Sequence, residues 1–173
     1  MKTQTKIYVS TYAKYNEGNL NGEWITIQDY SDAEELMQEM KDLHEDEDDS
    51  EFMIQDSEGD LTALIGECMS IEDWSEFYEV LDAVEDSYLD IQAIEAYANN
   101  FCGEWSAKVV EDASDAYIGE YDNDEDFAQE YAESTGAINQ NQNWPHYCID
   151  WEWAARELMY DIFESNGYYF YNH

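Results

Sequence analysis

Carboxylates are the residues that could do chemistry in this chain, and they recur at helical spacing. Glu35, Glu39, Asp42 and Asp46 fall at i, i+4, i+7 and i+11, and Glu72, Glu76, Glu79 and Asp86 fall at i, i+4, i+7 and i+14. Glu120, Asp122, Asp124, Glu125, Asp126, Glu130 and Glu133 crowd a third stretch. Acids in such numbers suit acid–base work by a matched pair, coordination of a hard cation, or presentation of an anionic face to a basic partner. Among 43 Asp and Glu, accidental pairs abound and none stands out. Asp122, Asp124, Asp126 and Glu133 fit positions 1, 3, 5 and 12 of a calcium loop, but Phe127 stands where glycine is required. In LHEDEDD, His44 is followed at the fifth position by Asp48, so H-E-x-x-H is absent and a solvated helix end is expected. No metal, cofactor or catalytic residue is predicted, and the chain is not expected to be an enzyme.

The anionic face remains. Six Lys and Arg against 43 acids give a net charge of −37 over 173 residues. Hydrophobic residues reach 44% and aromatics 16%, which a disordered acidic tail would lack. Residues 1–22 carry Lys2, Lys6 and Lys14 against Glu17; all other acids lie beyond, opposed only by Lys41, Lys108 and Arg156. Direct nucleic-acid binding and anionic membranes are therefore disfavoured, because both need cations. The expected partner is itself basic.

MKTQTKIYVSTYAKY lacks the apolar core of a signal peptide, and no apolar run reaches about 18 residues, so a cytoplasmic location is expected. Cys68, Cys102 and Cys148 show no C-x-x-C spacing and are read as buried small hydrophobes.

These acids need elements to hold them. KIYVSTY (6–12), EWITI (23–27) and EFMIQ (51–55) read as strands, with EGNLNG and DSEG as turns. Capping boxes at Ser31–Glu34 and Ser70–Asp73 announce two helices. The first turns Ala33, Leu36, Met37, Met40 and Leu43 inward; the second, over 70–86, turns in Ile71, Trp74, Tyr78, Leu81 and Val84. Residues 88–100 are apolar nearly all round, which predicts a helix buried in a small bundle. AYIGEY (116–121) reads as a strand. The helix after it buries Phe127, Ala128, Tyr131 and Ala132, turns Glu125, Asp126, Glu130 and Glu133 to water, and stops at Gly136. A helix over about 149–160, with Glu152 and Arg156 at ion-pair spacing, and the strand GYYFY complete an α+β chain. One proline and eight glycines leave little room for flexible linkers.

Like charges at i, i+4 cost a helix a few tenths of a kcal/mol each, and no interleaved lysines relieve them here. Four helical residues rise about 6 Å, close to the roughly 6.8 Å between alternate phosphates along one DNA strand. The acidic stripes thus run near the pitch of a phosphate backbone, as any acidic helix face would.

Four segments carry a resemblance to a known family: YVSTYAKYNEGNLNGEWI, LHEDEDDSEFMIQDSEG, AYIGEYDNDEDFAQEYAESTG and IDWEWAARELMYDIFESNGYYFY. They resemble the ArdA antirestriction proteins, acidic DNA mimics encoded on plasmids, conjugative transposons and other mobile genetic elements. The resemblance implies an elongated, curved chain of three subdomains: an N-terminal α+β unit (1–66), a helical unit (67–110) and a C-terminal α+β unit (111–173) that forms a homodimer. It implies that the carboxylates above stand in for the phosphates of bent B-form DNA. The implied partner is a type I restriction-modification enzyme, through its specificity and modification subunits. At about 1.7 Å per charge, 37 charges would match roughly 63 Å of duplex.

Two other classes remain: an acidic inhibitor or chaperone of another basic DNA-binding protein, and a salt-adapted halophilic protein. A halophile's protein should unfold at low salt, whereas a mimic should stay folded.

Overall fold

A computed structural model describes residues 3–47, 50–101, 103–138, 145 and 148–172. The chain is mixed α+β, with two antiparallel sheets of three strands each among the described residues. It gathers into two compact units, Met1–Ile91 with Trp105–Val110 and Gln92–Glu104 with Glu111–His173.

In the first unit β1 (Thr5–Thr11) lies between β2 (Glu23–Thr26) and β3 (Phe52–Gly59). Ile7, Val9, Ile25 and Ile54 of this sheet are buried, as are Leu36 and Met40 of α2 (Ala33–Leu43) and one face of α3 (Ile71–Asp86). The strand read at EFMIQ is longer than expected. A register shift at Tyr8/Val9 skips Gln55, so pairing continues through DSEG instead of turning there. The chain turns only after Gly59 (φ +100°), where a Cβ would lie 2.0 Å from the Gln4 carbonyl oxygen. KIYVSTY likewise gives up its last residue to a short helix, α1 (Tyr12–Asn16), because the Thr11 side chain accepts from Lys14 N–H and caps it.

The cap of α2 sits one residue later than predicted. Asp32 accepts from the Glu35 N–H, and Glu35 reaches back to the Ser31 N–H and hydroxyl at 2.7 and 2.6 Å. For α3, Ser70 and Asp73 form the expected box. Trp74, Phe77, Tyr78, Val80, Leu81 and Val84 are its buried face, and Tyr78 donates to the Ile27 carbonyl at 3.0 Å. Ile71, predicted inward, is 39% exposed, in a first turn whose other residues are also exposed.

The second unit is organised by sheet order β4 (Tyr117–Glu120), β6 (Tyr168–Tyr171), β5 (Ile162–Ser165). Alternation along β6 sends Tyr169 and Phe170 to opposite faces. On one face Tyr169 stacks on Phe127 of α6 (Asp124–Ser134) at 4.4 Å, with Ile162 and Leu158 of α7 (Trp151–Leu158) nearby. On the other, Phe170 and Phe163 pack with Tyr97 of α4 (Ile91–Phe101), at 5.3 and 5.8 Å. The bundle expected for 88–100 is thus corrected: α4 lays Ala93, Ile94, Ala96 and Tyr97 inward while Gln92, Glu95, Asn99 and Asn100 face water. A further helix, α5 (Ala107–Ala116), leads into β4 and was not expected. Gly136 follows α6 with φ +73°, the expected stop.

Cys68 and Cys148 are exposed, not buried, since both lie in loops outside the two cores; Cys102 lies outside the described residues. His44 ends α2 but is buried against Phe52, not solvated. No described helix is long and apolar enough to cross a membrane.

Candidate partner-binding surface

The stripe on α3 is the most regular of the three. The capping box fixes where the helix starts, and the six buried side chains fix its rotation, so Glu72, Glu76, Glu79 and Asp86 share the exposed side. None of these four accepts a hydrogen bond or pairs with a cation among the described residues. Their charge is directed at solvent. Asp82 and Glu85 extend the exposed acidic set, although Glu85 accepts from the Thr3 hydroxyl at 2.8 Å.

The stretch around α6 becomes a concave site. Glu120, Asp122, Asp126, Glu130 and Glu133 line an open cleft of about 630 Å³ together with Tyr121 and Gln129. No cation lines it. A neighbouring cleft of about 680 Å³ takes in Asp122, Asp124 and Glu125, and there Glu152, Glu164 and Arg156 join them. Asp124, Glu125 and Asp126 occupy the first turn of α6, where the helix dipole favours negative charge. Asn123 caps that turn through the Asp126 N–H. The calcium-loop spacing is therefore folded into helix from Asp124 onward. Asp124 also accepts from the Tyr169 hydroxyl at 2.6 Å; burial first, then this bond, pushes the Tyr169 phenol up. Tyr121 is pushed up by burial and by Glu130. Glu133, expected fully in water, is half-buried near the end of the helix.

The predicted stripe on α2 does not survive as such. Asp46 lies past the end of the helix at Leu43 and pairs with Lys14 at 2.9 Å, a bond that holds its carboxyl below the usual range. Glu35 is engaged by Ser31, whose hydroxyl and N–H hold its carboxyl low. Asp42 accepts from Gln38 at 2.8 Å, and Glu39 is half-buried near Tyr30. Lys14 also touches His44 Nδ1 at 3.0 Å; burial, then the Lys14 charge, pushes that imidazole down.

The residues that sequence reasoning missed are Glu164 and Glu152, which border the second cleft. Glu152 was noted only for its pairing with Arg156, which stands at 2.9 Å. Among the described residues, no group of three or more His, Cys, Asp or Glu could hold a metal ion. What the arrangement offers is fixed negative charge.

Residues 7–170 match the family described as antirestriction protein (ArdA). The chain belongs to the ArdA family. The match spans both compact units and every candidate carboxylate, so an antirestriction function follows for the ArdA chain as a whole. ArdA proteins are a non-enzymatic antirestriction family. No curated protein matches the chain.

Proposed function

We propose that the chain is a folded stand-in for DNA: its carboxylates occupy the positions of phosphates in the DNA-binding groove of a type I restriction-modification enzyme. The groove in question is formed by the specificity and modification subunits. Its occupation blocks restriction, and blocks modification where that reaction needs the same groove. In the cytoplasm this protects an incoming plasmid or transposon. The active species is a homodimer formed through the aromatic-rich C-terminal third, where Trp153 and Tyr160 are exposed.

The observation that carries this reading is the α3 stripe: four exposed carboxylates on one rigid helix, unneutralised among the described residues. A disordered acidic chain could attract the same partner, but it would lose conformational entropy on binding that a preformed helix does not. Long-range attraction speeds encounter with a basic groove, and counterion release makes the affinity salt-dependent. DNA must also be bent to fit many of its partners, at a cost of several kcal/mol for a site of about 20–30 base pairs. A protein of fixed shape avoids that cost.

The test is a cleavage assay with a purified type I enzyme. Inhibition should be relieved by excess unmodified duplex and should weaken as salt rises from 50 to 200 mM. Inhibition that is indifferent to competitor duplex would overturn the reading.

A further inference from the structure

Beside the α3 stripe, in the first unit, lies a recess of about 290 Å³. Phe77 and Val80, both buried, line it, and Leu64, Met69 and Trp105 add to the apolar part. Asp73 and Glu76, both exposed, border it. Its volume falls at the bottom of the range for drug-sized ligands, which starts near about 300 Å³. It has room for one long side chain with space to spare.

The lining has two chemistries that rarely coincide on an acidic surface. An aromatic and aliphatic wall accepts methylene groups and a planar cation, while two carboxylates select positive charge. The Asp73 carboxylate accepts from the Ser70 N–H at 2.7 Å in the capping box, and this bond holds its carboxyl below the usual range. Glu76 belongs both to this border and to the exposed stripe, so the recess is continuous with the surface assigned to the basic partner.

We propose that this recess receives an arginine side chain of that partner, its stem on Phe77, Val80 and Met69 and its guanidinium between Trp105 and the carboxylates of Asp73 and Glu76. The proposal rests on the DNA-mimic reading and adds to it. Phosphates offer no apolar recess, so such an anchor gives the protein a contact that DNA cannot match. Arginine is favoured over lysine because its planar guanidinium stacks on an indole and binds carboxylates in a fork.

Two measurements test it. In the first, N-acetyl-arginine amide, its lysine analogue and its uncharged citrulline analogue are titrated into the isotope-labelled protein, with the Trp105 indole N–H as the NMR reporter. A saturable shift with the arginine amide, about fivefold weaker with lysine and absent with citrulline, is expected. The plug variant Gly66→Met should abolish it. A Cβ at Gly66 meets nothing closer than the Cys68 carbonyl oxygen at 3.7 Å and Met69 Cγ at 4.0 Å, so the variant adds bulk without charge. No saturable shift, or an equal response in the plug variant, overturns the proposal.

In the second, the wild type, Gly66→Met, Glu76→Gln and Glu79→Gln compete with duplex DNA for the type I enzyme. The plug should weaken competition about tenfold, as loss of one anchoring side chain does. Glu76→Gln should weaken it by more than Glu79→Gln, which removes the same charge from the exposed stripe outside the recess, and this contrast serves if the plug fails to fold. If the wild type competes, the plug equals it and Glu76→Gln equals Glu79→Gln, the recess proposal fails and the mimic reading stands. If the wild type does not compete with DNA at all, the mimic reading fails, and the proposed partner arginine with it.

Discussion

Helices α2 and α3 belong to the same unit and both open on acids at i, i+4 and i+7, yet these acids meet different surroundings. On α2, Glu35 is engaged by Ser31, Asp42 accepts from Gln38, and Asp46 has left the helix to pair with Lys14. On α3, Glu72, Glu76, Glu79 and Asp86 stand outside any such network among the described residues. Carboxylate spacing alone does not separate a charge that holds the fold together from one that is available to a partner. The difference lies in what the rest of the chain brings: Lys14 arrives from 32 positions away along the sequence to neutralise Asp46, and among the described residues no cation pairs with the α3 stripe.

The comparison can be broken at its scaffold first. Trp74 is 1% exposed beneath the stripe, and Trp74→Ala should cost about 3–5 kcal/mol. Denaturant unfolding should show that loss, and inhibition of the type I enzyme should fall with it although the net charge is unchanged. Full inhibition by an unfolded variant would mean that charge alone suffices. Next in size is the contrast itself. Combining Glu72→Gln, Glu76→Gln and Glu79→Gln should weaken competition with DNA and flatten its salt dependence, the loss between 50 and 200 mM salt shrinking about 30-fold, roughly threefold per charge removed. The α2 set Glu35→Gln, Asp42→Asn and Asp46→Asn should weaken it less than about threefold. The α2 set should instead lower the melting temperature at pH 7. Glu35 and Asp46 have carboxyls depressed by folding, so they stabilise above their ordinary values of 4.5 and 3.8. That deficit should vanish as pH falls through their lower folded values.

Ser70→Ala removes one half of the capping box and should cost about 1 kcal/mol, seen as a shift of the denaturant midpoint with unchanged slope. The smallest effect concerns His44, where burial and Lys14 depress the imidazole below 6.5. The unfolded chain takes up a proton there before the folded one does. Stability should therefore decline as pH drops below about 6.5, and His44→Gln should flatten that slope in urea titrations at pH 5–7.

Much of the fold was legible in the sequence where periodicity alone decides it. The buried faces of α3 and α6 follow from apolar residues at helical spacing, and Ser70–Asp73 marks its helix start. Features that depend on distant partners were not legible. The skip at Gln55 that carries β3 through DSEG exists only in pairing with β1. The burial of His44 needs Phe52. Asn166-Gly167, both at positive φ, closes the β5–β6 hairpin, and this N-G step is the signal that could have placed β5 and its Glu164. Of the candidate surface, the crowding around α6 was legible as composition. Its gathering into a cleft was not, because Glu120 and Asp122 reach it from the end of β4.

The central claim is that protein and DNA compete for one groove. A labelled duplex bound to the type I enzyme, followed by fluorescence anisotropy while the protein is added, tests this directly. The account predicts complete displacement, with a midpoint that moves in proportion to duplex concentration and rises steeply with salt. A ternary complex, in which duplex and protein sit on the enzyme together without weakening one another, would contradict it.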